Sequence, residues 1–294
     1  MEEAVLKFIK RYKLEIAFMI PITVFILGFT FIPICQTILL SFQSSFSEGF
    51  STEVYRSLFK RLSFVESIGN TWIITFMGLL IQLSTGFLIA FILKKKFFGK
   101  AIVRALVLMP MGIPTIVSGV AMLYVFMTSG YLNELFYSLG LITTPINWTA
   151  SRHISLLQVA IADTWKVMPI VVLLFLAGLE AIPEEMYEAA DIDGISGFQK
   201  LIYITLPQLR TTFIMIVMLR AVDLLRIFEL PMVLLGKNVP FVGTFAYDEY
   251  AYGNNNSSAA ASTILLMMII IFSSVFLAVF NREGGIVNAN QKNR

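Results

Sequence analysis

The chain has 294 residues, of which 57% are hydrophobic and 14% are charged, and its mean hydropathy is +0.80. Because soluble domains average about 25% charged residues, this composition excludes an ordinary soluble domain and predicts a membrane protein. The net charge of only +3 gives no argument for binding nucleic acid, and a single cysteine excludes an intrachain disulfide bond.

Six apolar segments are each long enough to cross a bilayer, which needs about 20 residues. They cover residues 16–42, 71–93, 102–126, 154–179, 212–235 and 257–280. Four of them contain proline, which a span tolerates where neighbouring helices or water satisfy the freed carbonyls. The first lacks a cleavage signature and is interpreted as a retained anchor. The prediction is an all-α polytopic membrane protein with six transmembrane helices, some of them bent.

Lysine and arginine are distributed unevenly between the loops on the two sides of these segments. Fourteen lie on one side and five on the other. Because cytoplasmic loops are enriched in positive residues, we expect both termini to lie in the cytoplasm. The predicted organisation is an N-terminal anchor helix with an extracytoplasmic loop at 1–66, a core domain at 67–281 and a cytoplasmic tail at 282–294.

An acidic stretch separates the fourth and fifth apolar segments. Residues 184–207 read EEMYEAADIDGISGFQKLIYITLP, and five of the nineteen carboxylates of the chain lie there. Glutamates favour the first turns of a helix, Gly194 predicts a helix end or tight turn, and Ser196 can cap a second short helix ending before Pro207. These residues alone leave open whether the stretch binds a partner or is a solvated connector.

This stretch resembles the EAA loop in the membrane subunits of bacterial and archaeal ABC importers. The residues that match the family pattern in register are Glu188, Ala189, Ala190, Asp193, Gly194, Ile204, Leu206 and Pro207. Two apolar residues depart from the pattern, because Ile195 replaces the usual alanine and Leu201 the usual phenylalanine.

Other stretches resemble the first of the two permeases of carbohydrate importers, the relatives of the maltose, glycerol-phosphate and multiple-sugar systems. They include SIGNTWIITF, LMPMGIPTIVSGVAMLYVF and LRAVDLLRIFELPMVLL, and the likeness covers about residues 68–280. The family usually continues from the fifth span into a Gly-Gly-Pro loop, whereas this chain has GKNVPFVGTFAYDEYAYGNNNSS there. The resemblance implies the type I ABC importer permease fold, and the departure weakens any narrow statement about the solute.

The resemblance implies that the acidic stretch is a cytoplasmic coupling helix that docks in a cleft of a separate ATPase. The residues that would carry this coupling are Glu188, Ala189, Ala190, Asp193, Gly194 and Pro207. We expect Met186 and Tyr187 to offer apolar contact for the docking. The implied partners are a second homologous permease, two cytoplasmic ATPase subunits and an extracytoplasmic solute-binding protein, in the inner membrane of a bacterium or archaeon.

No catalytic or metal site is predicted. The sequence lacks the Gly-x-x-x-x-Gly-Lys-Ser/Thr phosphate loop, so ATP would be bound by the partner ATPases and the chain would have no cofactor of its own. One histidine and one cysteine do not supply the usual zinc ligands or a catalytic triad. His153, at the edge of the fourth span, is interpreted as an interface residue.

Polar and aromatic residues within the fourth and fifth spans are candidates for a translocation path. They are Asp163, Trp165, Lys166, Arg220, Asp223, Arg226 and Glu229. Charges inside a membrane are costly unless they face a cavity or a partner. Asp163 and Lys166 lie one helical turn apart and can pair, and the residues from Arg220 onward alternate in sign. They would either brace helices or line the path, and Trp165 could stack on a sugar ring.

The function predicted is the permease subunit of an ATP-driven, binding-protein-dependent importer for a sugar or related carbohydrate, which forms the translocation path with the second permease. An importer of polyamines, peptides or anions is one alternative. An ion-coupled secondary carrier using intramembrane carboxylates is another, although the chain shows no internal repeat of the kind such carriers often have. A membrane scaffold that does not transport is the third.

Overall fold

The computed structural model of the chain describes residues 12–44 and 47–291. Within these residues the regular structure is almost entirely helical, which confirms the predicted all-α class. The exception is a short antiparallel hairpin formed by β1 (Gln43–Ser44) and β2 (Ser47–Phe50), in which Gln43 lies opposite Phe50.

The first predicted span forms one long helical segment. It consists of α1 (Lys13–Ile26), a π-helical turn (Leu27–Phe31) and α2 (Ile32–Ser41), and α3 (Glu53–Lys60) follows the hairpin. The large apolar side chains of this segment are mostly exposed. Exposed apolar side chains over such a length are expected where a helix contacts lipid.

The middle of the chain begins with the long helix α4 and ends with the long helix α8. Its elements are α4 (Leu62–Lys94), α5 (Lys100–Leu108), a 3-10 turn (Met109–Gly112), α6 (Thr115–Phe126), α7 (Tyr131–Ser138) and α8 (Arg152–Glu180). Ser151 begins α8 as its cap, because its side chain accepts a hydrogen bond from the amide of Ile154.

The remaining chain consists of short helices followed by the longest one. The elements are α9 (Glu184–Ile192), α10 (Gly197–Lys200), a π-helical turn (Leu201–Thr205), α11 (Leu206–Gln208), α12 (Arg210–Leu225), α13 (Glu229–Leu235), α14 (Val242–Ala251) and α15 (Asn255–Gln291). The short helix predicted to end before Pro207 continues instead through the π-helical turn to Gln208.

Among the described residues, five helical segments are long and apolar enough to cross a membrane, and a bent pair of helices passes the same test when it is counted as one span. The five are Lys13–Ser41, Leu62–Lys94, Thr115–Ser138, Arg152–Glu180 and Asn255–Phe280. The bent pair is Gly197–Gln208 with Arg210–Leu225, at an angle of 63°. The number agrees with the six predicted spans.

Two of the predicted spans are not continuous helices. The third, 102–126, is interrupted at Ile113, whose backbone is extended because Pro114 follows it. The fifth, 212–235, is interrupted where α12 ends at Leu225. Three non-helical residues follow, and α13 begins at Glu229. Hydropathy identifies the apolar length of a segment, and it does not report where the backbone bends.

The described residues fall into two compact units. One consists of the described part of Met1–Arg61 together with Ala246–Ile264, and within it Arg61 forms an ion pair of 2.8 Å with Glu249. The other consists of Leu62–Phe245 together with the segment that begins at Leu265. The second unit contains the helices that carry the candidate site.

The core of the second unit is built on the packing of α4 against α8, its most extensive helix pair. Where they cross, Gly86 of α4 lies directly against Val171 of α8, so that a Cβ at position 86 would be 2.5 Å from Cγ1 of Val171. The aromatic rings of Phe87, Phe175 and Phe213 then pack edge to face beside this crossing. A small residue is therefore needed at position 86.

Replacement of Gly86 by leucine should separate α4 from α8. Overpacking of a close contact costs about 1–3 kcal/mol, so Gly86→Leu should lower the temperature at which the detergent-solubilised protein loses its monodisperse gel-filtration peak. Gly28→Leu is the matched control, because a Cβ at position 28 has no neighbour within 4 Å. Equal midpoints for the two variants would contradict the packing described here.

Candidate functional site

Three helices of the second unit meet at a buried polar cluster. Arg220 of α12 donates from Nε to Oε1 of Gln82 on α4 at 2.9 Å, and from Nη2 to Oδ2 of Asp163 on α8 at 3.1 Å. Gln82 closes the triangle by donating from Nε2 to Oδ2 of Asp163 at 2.8 Å. Gln82, Asp163 and Arg220 are all buried. The buried charge of Asp163 is therefore paired and hydrogen-bonded, which is the condition for tolerating it in a low-dielectric interior.

The predicted stripe of alternating charges along α12 extends this cluster. Nη1 of Arg220 donates to Oδ2 of Asp223 at 2.8 Å, and Nη2 of Arg226 donates to Oδ1 of Asp223 at 2.7 Å. Arg226 is exposed and is the residue at which α12 stops, whereas Glu229 is an exposed residue at the start of α13. Among the described residues, the ion pairs of this stretch run from Arg220 to Arg226 and do not include Glu229.

The predicted pair between Asp163 and Lys166 is wrong. Asp163 is engaged by Arg220, and Nζ of Lys166 donates instead to the main-chain oxygens of Pro110, at 3.0 Å, and Ile113. The physical reason is the interruption of the third span, which leaves carbonyl groups that need donors.

A cavity of about 310 Å³ lies beside this cluster. The residues that line it are Met111, Thr115, Asp163, Lys166, Val167, Pro169, Ile170, Arg220 and Asp223. Two of its four charged residues are acidic and two are basic, so their formal charges cancel. The structure thus gathers four of the seven candidate path residues around one cavity.

The other three candidates lie outside the lining of this cavity. Trp165 is half-buried on α8, and Arg226 and Glu229 are exposed at the break between α12 and α13. Conversely, Gln82, which completes the buried cluster, is not among the residues predicted from the sequence. An amide within the otherwise apolar segment 71–93 was the available signal, because buried polar side chains require partners.

The acidic stretch folds as two short helices joined at Gly194, as predicted. Gly194 has a left-handed φ of +69°, its amide donates to Asp191, and the amide of Ile195 donates to Ala190 at 2.9 Å. This pair of bonds ends α9 as a Schellman motif. Ser196 and Gln199 then form a reciprocal capping box that begins α10.

Most of the predicted coupling residues lie on the surface of the stretch. Glu188, Ala189, Asp193, Gly194 and Pro207 are exposed, and Ala190 is buried against the rest of the unit. An ion pair between Lys200 of α10 and Asp191 of α9 joins the two short helices across the turn.

Met186 and Tyr187, expected from the sequence to offer apolar contact for docking, are half-buried and pack against the core of their own unit. The hydroxyl of Tyr187 is 3.0 Å from Oγ1 of Thr205, and Nζ of Lys94 lies 4.4 Å from the centre of its ring. The most exposed of the large apolar side chains here are Ile192 (88%), Phe198 (71%) and Tyr203 (73%). We call these three residues the apolar turn surface.

The second unit is thus a helical membrane unit with a cavity lined in part by charged side chains, and it carries a surface turn at Gly194. Residues 82–283 match the family described as the binding-protein-dependent transport system inner membrane component. The chain belongs to this family.

Two relatives match most of the chain. The trehalose/maltose transport system permease protein MalF of Thermococcus litoralis is 31% identical over 280 residues, which cover 92% of this chain and 94% of that protein. The arabinooligosaccharides transport system permease protein AraP of Bacillus subtilis is 30% identical over 253 residues, 80% of each chain.

Solved structures share the fold at lower identity. A chain of a bacterial ABC transporter involved in the import of the acidic polysaccharide alginate superimposes with a TM-score of 0.83 at 19% identity, covering 95% of this chain and 99% of that chain. A second structure of a bacterial alginate ABC transporter, with a periplasmic protein bound to alginate pentasaccharide, gives a TM-score of 0.82 at 20% identity over 94% and 96% of the two chains. These likenesses establish the type I importer permease fold.

Loss of the guanidinium of Arg220 should destabilise the protein strongly. Arg220→Met leaves Asp163 buried without its cation, and breaking a buried pair in this way costs about 3–5 kcal/mol. The measurement is the thermal midpoint of the solubilised protein by gel filtration after heating.

Arg226→Met is the matched control for this change, because Arg226 pairs with the same Asp223 from an exposed position. Exposed pairs contribute about 0–1 kcal/mol, so its midpoint should stay close to that of the unchanged protein. An equal fall of the thermal midpoint in the two variants would contradict the contribution to stability assigned here to the buried cluster.

Proposed function

We propose that this chain is one of two permease subunits of an ATP-driven, binding-protein-dependent importer of a neutral sugar or short oligosaccharide. The observation that carries the solute class is the 31% identity, over nearly the whole chain, to a trehalose/maltose permease protein. The cavity supports the same class, since the formal charges of its lining cancel.

The cavity suits a polyhydroxyl solute in its chemistry. Beyond the contacts described above, the carboxylates of Asp163 and Asp223 retain further acceptor sites, and Lys166 and Arg220 retain further N–H donors. The same lining also contains the apolar residues Val167 and Ile170. A binding cavity commonly combines apolar walls with a few polar groups that fix orientation. These four charged residues are therefore proposed to line part of the translocation path.

The turn at Gly194 is proposed to be the contact with the ATPase. In the orientation expected from the positive residues of the loops, both termini and this turn lie in the cytoplasm. Glu188 offers an exposed carboxylate to a basic residue of the partner, and the apolar turn surface offers Ile192, Phe198 and Tyr203 to an apolar cleft. Such a combination of apolar contact and charge is typical of specific interfaces.

The proposed assembly contains a second homologous permease, two cytoplasmic ATPase subunits and an extracytoplasmic solute-binding protein. ATP would be bound by the ATPases, because this chain lacks the phosphate loop that cradles it. This permease itself would require no metal or organic cofactor.

The test of the solute class is stimulation of ATP hydrolysis in the intact complex. The full chain should be purified with the subunits that accompany it and assayed in proteoliposomes with its binding protein and a panel of solutes. We expect a neutral sugar or oligosaccharide to stimulate hydrolysis. Stimulation by a polyamine, peptide or anion alone, or uptake by this chain alone on an ion gradient, would contradict the proposal.

Charge reversal at Glu188 tests the coupling contact. Glu188→Lys should abolish most of the stimulated ATP hydrolysis and import, because a repulsive charge at an interface commonly costs several kcal/mol, whereas the amount of the chain in the membrane should not change. Glu134→Lys is the matched control, since Glu134 is equally exposed but lies on α7. Normal import by the Glu188→Lys complex would exclude the proposed contact.

A further inference from the structure

Two prolines four positions apart, Pro110 and Pro114, set up the break between α5 and α6. In a continuous helix the amide of residue 114 would donate to the carbonyl of residue 110, but Pro114 has no amide hydrogen. Ile113, which precedes this proline, is extended with φ −100° and ψ 129°. The helix therefore ends here, and main-chain carbonyls within a predicted span are left outside the helical hydrogen-bond ladder.

The ammonium group of Lys166 lies at this break. It donates to the oxygen of Pro110 at 3.0 Å and to the oxygen of Ile113. The oxygen of Pro110 also accepts from the amide of Ile113 at 3.2 Å. One side chain on α8 thus joins both ends of the interrupted turn, and the two carbonyl oxygens in return stabilise a positive charge in the membrane.

The acidic side chains of the same cavity are engaged by other cations. Asp163 pairs with Arg220, and Asp223 pairs with Arg220 and Arg226. The contacts of Lys166 with main-chain oxygens therefore form beside carboxylates that already have partners. Lys166 therefore differs from Arg220: Arg220 joins helices through ion pairs, whereas Lys166 contacts main-chain oxygens.

The break also forms one side of the cavity. Met111, in the 3-10 turn, and Thr115, at the start of α6, both line the cavity together with Lys166. We infer that Lys166 is a positioning residue, which holds the break between α5 and α6 against α8 and thereby sets how readily the side of the cavity at Thr115 opens. The effect of this positioning on transport rests on the proposed function, whereas the contact of Lys166 with the break does not.

The test is the chemical accessibility of a cysteine beside the break. Cys35 is the single cysteine of the chain, so Cys35→Ser provides a background in which Thr115→Cys is the only thiol of the chain. The rate of its modification by a small water-soluble methanethiosulfonate should be measured in membrane vesicles that contain the full chain with its accompanying subunits. The same rate at Ser155→Cys, a buried position near the start of α8 and outside the cavity, reports general loosening.

Lys166→Met should accelerate modification of Thr115→Cys by about tenfold, the factor expected when a hydrogen bond to a charged donor is lost. The rate at Ser155→Cys should not change. Lys166→Arg should return the rate at Thr115→Cys toward that of the unchanged protein, because a guanidinium also supplies several donors. A role in general stability alone would not produce this local pattern or its rescue.

Two results would overturn the inference. One is an equal rate at Thr115→Cys with lysine and with methionine at position 166, and the other is an equal acceleration at both reporter cysteines. Sugar-stimulated ATP hydrolysis, measured in the same vesicles without a substitution at Lys166, separates this inference from the proposed function. Local acceleration without sugar stimulation would support the positioning role and exclude the solute class. Sugar stimulation without local acceleration would support the solute class and exclude the positioning role.

Discussion

Arg220 joins three helices of the second unit, α4, α8 and its own α12. A guanidinium in a low-dielectric interior is stable only when anionic and polar partners surround it, and those partners are Gln82 on α4 and Asp163 on α8. Asp223, one turn along the same helix, completes its hydrogen bonds. The need to satisfy one charge therefore holds α4, α8 and α12 together, and the cavity lies beside them, lined by α8, α12 and the break between α5 and α6.

Two kinds of interruption adapt this helical unit to transport. Between α5 and α6, proline removes a backbone donor, and Lys166 supplies the missing hydrogen bonds from a neighbouring helix. Between α9 and α10, Gly194 provides the left-handed conformation that reverses the chain without a side-chain clash. The first interruption shapes the cavity, and the second presents the proposed contact surface for the ATPase.

Much of the fold could be predicted because membrane spans are long and apolar and surface helices carry their own start and stop signals. The acidic stretch illustrates this, since Gly194 and Ser196 act through hydrogen bonds to residues at most five positions away. The pairing of Asp163 could not be predicted in the same way. Lys166 was its nearest cation along the helix, but Arg220, 57 residues away in the sequence, satisfies it instead.

The sequence by itself determined the membrane class, the number of spans, and the position and form of the capped turn, because hydropathy and capping depend on neighbouring residues. Only the tertiary structure decided which polar groups meet. It turned Met186 and Tyr187 toward the core, exposed Ile192, Phe198 and Tyr203, and brought Gln82 to Asp163. The physical reason is that burial and ion pairing depend on how separate helices pack, which no local pattern contains.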